Sequence, residues 1–203
     1  MLDNYIRNLR DNENKLILEV MAFISYNPSI GRVFSKGGVI KFERLMIKLV
    51  AELPTINSKE TFDKLHTKYI KRLIANIKTS SKSNSSRATY GQAQKPINVF
   101  LKLYIDWAKY PNRRVRKKIL GYLHVPLDKI IMTSINKEYH DWYVEKIKPK
   151  IKSPNQRYSL SKINRKLYYE WQNFFREKYS SKPLIFDLAW ALNRKLSNNQ
   201  RNI

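Results

Sequence analysis

The chain has 203 residues, 42% of them hydrophobic and 12% aromatic, enough to fill a core and to exclude a globally disordered polymer. Forty Lys and Arg against 16 Asp and Glu give a net charge of +24, which calls for a polyanionic partner. With no cysteine, disulfides and thiolate metal sites are excluded.

The first residues, MLDNYIRNLRDNENK, hold no apolar run of signal-peptide length, and no later segment reads as a membrane span. The expected setting is therefore cytoplasmic or nucleoid-associated, without a membrane partner. Leu16, Ile17, Val20, Met21 and Ile24 form the first helical stripe. The glycines of GRVFSKGG, residues 31–38, predict a turn region. Val39, Phe42, Leu45, Met46, Leu49, Val50 and Leu53 follow at spacings of three and four, which no strand would give. Asn57-Ser-Lys-Glu60 reads as a capping box ahead of a third stripe from Phe62 to Ile77. TSSKSNSSR, residues 79–87, reads as a mobile basic loop.

The basic field lies in the middle of the chain. Between Asp63 and Asp128 there are fifteen Lys and Arg and a single acid, Asp106. Because this tract alternates with core residues, nucleic acid is favoured over an anionic membrane surface. Within it, YGQAQKPINVF (residues 90–100) sets Lys95 directly before Pro96 and an apolar run. Proline suits the first position of a helix, so Lys95 is expected at or beside the N-cap. There the helix's positive end, nearby cations and partial burial would favour a free, nucleophilic amine. LHVPLDKIIM, residues 123–132, ends the basic tract. Val125-Pro126 predicts an extended approach, with Asp128 at the start of a helix as an ionised, charge-stabilising group. Tyr139–Ile147 is expected to be extended and KPKIKSPNQ (residues 148–156) a linker, before helices over 158–179 and 183–196. The array is all-α, with about seven or eight helices. His66, His124 and His140 fit no metal-binding spacing, so no metal and no organic cofactor is expected.

A glycine turn, a lysine opening one helix and a V-P-x-D segment opening another resemble the helix-hairpin-helix DNA glycosylases. Gly91-Gln-Ala-Gln-Lys95 stands for that family's G-x-G-x-K, with alanine in place of its second glycine, and Val125-Pro-Leu-Asp128 for its V-P-x-D. The 33-residue separation of lysine and aspartate is closest to the archaeal GO branch, which removes 8-oxoguanine. The resemblance implies a monomer of two lobes with a cleft between them. One lobe would span 57–150 and carry the hairpin; 1–56 and 151–203 would form the other. It implies a bifunctional glycosylase and abasic-site lyase acting on a flipped purine of double-stranded DNA, with Lys95 and Asp128 catalytic. Gln94, Asp187 and Trp190 would line the base pocket. Gly91, Gln92, Lys82, Arg87, Arg113, Arg114 and Arg116 would hold DNA. The alternatives are a non-catalytic helical nucleic-acid-binding protein in which Lys95 contacts phosphate, or a protein-interaction module.

Overall fold

A computed structural model describes residues 12–30, 33–35, 37–79, 87–151, 158–189 and 192, with the side chains of 28–30 left aside. Lys82 and Trp190 lie outside the described residues. The fold is all-helical, and among the described residues no strand forms; extended pairing is limited to the isolated bridges Phe34–Thr79 and Lys78–Arg87. Among the described residues no helix is long and apolar enough to cross a membrane.

Helix α1 is Glu13–Ile30 and α2 Gly38–Glu52. Gly37, at φ 80°, occupies the left-handed conformation before α2, which a side chain would strain. Helix α3, Lys59–Asn76, is capped by Ser58 with Thr61 closing the box, one position later than the Asn57/Glu60 pair expected. Helix α4, Tyr90–Leu101, runs on as a π-helical stretch, Lys102–Trp107. Helix α5 is Arg113–Ile119 and α6 Lys129–Glu138. Helix α7, His140–Trp142, continues as a π-helical Tyr143–Ile147, where an extended segment was expected. Tyr143 and Ile147 are the buried members, and their spacing of four is that of a helix face, not of alternation. Helix α8, Arg165–Lys178, starts only after the Asn164 cap, and residues 185–189 form a further helical turn.

Two apolar clusters carry the packing. The first joins α1–α5 through Leu123, with Leu184 added. The second joins Val125 through Phe175, on α6, α7 and α8. The boundary falls at His124, so α1 and α2 pack with the helix bearing Lys95. The cores therefore do not follow the expected pairing of 1–56 with 151–203.

Candidate active site: a lysine–aspartate pair held by a buried polar network

The segment between the two clusters is extended, so its backbone must find hydrogen bonds outside any helix. Two buried glutamines supply them. Gln172 of α8 accepts from Val125 N–H at 2.9 Å and donates to Val125 C=O at 2.9 Å. Gln94 of α4 does the same for Leu127, accepting from its N–H at 3.2 Å and donating to its C=O at 3.0 Å. Pro126 lies between them and has no N–H to satisfy. The paired amides act as short strands on each side of residues 125–127.

This clamp delivers Asp128 to a fixed place. Its Oδ1 caps α6, accepting from Ile130 and Ile131 N–H at 3.0 and 2.9 Å. Its Oδ2 lies 3.3 Å from Lys95 Nζ, with the two side chains 19% and 21% exposed, so the pair is sheltered but reachable. The capping bonds leave one oxygen for the amine and hold the carboxylate in one orientation.

Lys95 reaches this place by a different route from the one its sequence suggested. Thr89 caps α4, and Gln92 returns the bond by accepting from Thr89 N–H at 2.9 Å. Lys95 and Pro96 are therefore well inside the helix, beyond the first turn where the positive end acts. The Gln92 side-chain oxygen is occupied in this capping box, accepting from Thr89. Gly91 is likewise internal: its N–H donates to Ile163 C=O at 2.9 Å, and an added Cβ would lie 2.3 Å from Leu160 C=O. The glycine serves close packing of α4 against residues 160–163, not a phosphate-binding hairpin. A Gly91→Ala variant is expected to lose about 1–3 kcal/mol in chemical denaturation. Its DNA affinity per folded molecule should be unchanged, the opposite of what a phosphate-holding glycine would give.

Gln94 is 0% exposed, and both its donors and both its acceptor positions are used, by Gly91, Leu127 and Asn98. It has no free polar edge for a base, so it positions Asp128 and does not line a pocket. Asp187 is buried and paired with Lys102 Nζ at 2.5 Å; Lys102 also lies 4.9 Å from the Trp107 ring centre. Lys95 on α4 and Lys102 at the start of its π-helical continuation are seven residues apart, each tying in a carboxylate from a distant segment. A cleft of about 510 Å³ lies between α6 and residues 186–189, lined by Ile131, Ser134, Ile135, Tyr139 and Phe186 among others. Gln94 and Asp187 are absent from its walls. Arg87, Arg113 and Arg114 are exposed and Arg116 is half-buried, without acidic partners among the described residues.

Sequence reasoning missed the network behind the pair. Asn98 donates to Gln94, Val125 C=O and Tyr168, and its oxygen lies 2.6 Å from His66 Nε2. His66 Nδ1 is buried without a hydrogen-bond partner among the described residues, so the ring is a neutral Nε2–H donor. Tyr168 Oη lies 2.7 Å from His124 Nδ1, and His124 Nε2 lies 2.9 Å from Asp63 Oδ1. Arg176 grips Asp63 with two bonds, at 3.0 and 2.7 Å, and donates to Tyr122 C=O. The only signal in the sequence is polar residues within otherwise apolar helix faces.

Burial drives His66 well below the ordinary histidine value, and the neighbouring His124 adds to the effect. Burial also lowers His124, to about 4, against the opposing hydrogen bond to Asp63. Burial would raise Asp63, but the hydrogen bonds from His124 and Arg176 outweigh it and hold the carboxyl well below its usual range. For both histidines the unfolded chain binds protons near pH 6.5 and the folded one only at lower pH. Stability is therefore complete above pH 7 and falls on acidification. Between pH 7 and pH 5 the loss from His124 is about 2 kcal/mol, and His66 acts in the same direction. Asp63 acts with the same sign at lower pH, its contribution lost as pH falls below its unfolded value of 3.8. Thermal unfolding at pH 7, 6 and 5 measures this, and His66→Gln should flatten the profile.

No protein-family model matches the chain, and no curated protein or solved structure is significantly similar to it.

Proposed function

We propose that the protein is a DNA glycosylase with abasic-site lyase activity that removes a damaged purine, 8-oxoguanine in the first instance. The observation that carries this reading is the Lys95–Asp128 pair, 3.3 Å apart and one-fifth exposed, in a chain of net charge +24. In the reaction, Asp128 takes a proton from the amine as Lys95 Nζ bonds to C1′ of the sugar. The N-glycosidic bond breaks and its electron pair leaves with the base, which is then protonated. Ring opening gives a protonated imine on Lys95, and loss of a C2′ proton expels the 3′-phosphate. A carboxylate fixed by two backbone N–H groups suits this work, because it needs no reorganisation as positive charge develops on the sugar. Cytoplasm or nucleoid, a monomeric state and double-stranded DNA as substrate belong to the same reading.

Borohydride trapping tests it. The wild-type protein should become covalently joined to a duplex containing 8-oxoguanine or a preformed abasic site, and to no undamaged duplex. If no adduct forms on either substrate, the enzymatic reading is lost.

The internal use of the Gly91 N–H favours a second reading, a helical nucleic-acid binder in which Lys95 contacts a phosphate without chemistry. Salt-sensitive binding without any adduct would select it.

A further inference from the structure

The described cations do not all have the same standing. Lys68, Lys95, Lys102, Lys150 and Lys182 each lie within 4 Å of a carboxylate, so their charge is partly spent inside the protein. On the outer face of α2, Lys41, Arg44 and Lys48 are all exposed and form no ion pair among the described residues. Their spacing of three and four places them in one row about 10 Å long. The row borders a concavity of about 240 Å³ floored by Leu45 of the same helix and closed by Asn76, at the carbonyl end of α3. Lys41 Nζ reaches Asn76 C=O at 3.4 Å, which fixes that side chain over the groove.

Neither acid of α2 is ion-paired with this row among the described residues. Glu52 is taken by Lys68 and Tyr69. Glu43 is half-buried and makes no ion pair with the row among the described residues; its carboxyl is raised by burial and then by Glu19 of α1, with Arg44 and Lys15 acting the other way. Two further exposed cations lie at the same end of α3 as Asn76. Lys78 lies two residues beyond Asn76, and its bridge to Arg87 sets both at the same end of α3.

We infer that the α2 face is a second contact site for the phosphate backbone of a nucleic acid, separate from the Lys95–Asp128 pair. Duplex DNA carries about one charge per 1.7 Å of axis, so a row of about 10 Å faces more phosphates than it has cations. The row supplies charge without base-reading groups, so it contributes affinity and orientation irrespective of sequence. It requires no lysine chemistry and stands whether or not the enzymatic reading does.

The test is equilibrium binding of a fluorescein-labelled, undamaged 20-base-pair duplex across a salt series, read as the slope of log affinity against log salt. In the Lys41→Ala/Arg44→Ala/Lys48→Ala variant the slope should fall by about 2 to 3, at about 0.9 per neutralised phosphate. Lys48→Ala alone should lower it by about 1. Removing three exposed cations elsewhere, Lys137, Lys162 and Lys166, should leave it nearly unchanged. The proposal is overturned if the α2 triple variant keeps the wild-type slope, or if the control triple lowers it equally. It is also overturned if the α2 variant keeps its duplex slope but loses retention on phosphatidylserine vesicles, which would make the face a membrane contact. Borohydride trapping on abasic DNA by the same variants reads the lysine chemistry independently.

Discussion

A Lys95→Gln variant is expected to give no borohydride adduct with either abasic or 8-oxoguanine duplex, a loss of more than 1,000-fold in trapped product. Glutamine keeps most of the length and a polar end but has no amine to form an imine, so the loss measures chemistry more than packing. Asp128→Asn should retain part of the cap, because its amide oxygen still accepts from Ile130 and Ile131 N–H. It should trap about 100- to 10,000-fold more slowly, the range for losing a positioned acid–base group. Both variants should bind undamaged duplex with nearly the wild-type salt slope, because fourteen other cations remain between Lys64 and Lys118 alone. Adduct formation by Lys95→Gln at the wild-type rate would remove Lys95 from the reaction and transfer the search to another amine.

The largest stability effect is expected at Arg176→Met. The substitution preserves most of the volume but withdraws the guanidinium that holds Asp63 by two bonds and caps Tyr122 C=O. Asp63 is then left sheltered with only the His124 ring, and its ionised form loses its compensating charge. Breaking one side of such a pair costs about 3–5 kcal/mol, which for a chain of this size is roughly 10 °C in Tm. The double variant Asp63→Asn/Arg176→Met should recover part of the loss, since the uncompensated charge is gone. A double variant no more stable than Arg176→Met would show that the arginine acts through Tyr122 and packing. This network stands behind the residue-125–127 segment, so Arg176→Met should also loosen the Lys95–Asp128 geometry and slow trapping more than it weakens binding.

The helical stripes were readable in the residues because packing a helix against a core imposes spacings of three and four that survive without any neighbour in view. Phe42, Leu45, Met46 and Leu49 are buried as that pattern requires. The extended approach through Val125-Pro126 and the Asp128 cap were readable for the same reason, since both are set by local sterics and a side chain bonding its own next turn. The start of α4 was misread because Pro96 is a strong local signal for a helix start. The competing signal, Thr89 with Gln92 three residues on, is a capping box of ordinary polar residues. The segment from Tyr139 to Ile147 was misread because aromatic and β-branched side chains suit either structure, and only the burial of Tyr143 and Ile147 on one face decides.

Composition and order alone determined a cysteine-free, strongly cationic, all-helical chain with a lysine and an aspartate poised in its basic tract. Only the tertiary structure decided that these two meet, that Gln94 and Gln172 are clamps for the segment carrying Asp128, and that Gly91 is a packing contact. The division has a physical cause. Charge and helix period are properties of residues and their near neighbours. Satisfying the buried backbone of residues 125–127 requires amides from α4 and α8, 33 and 47 positions away, which nothing local to either end specifies.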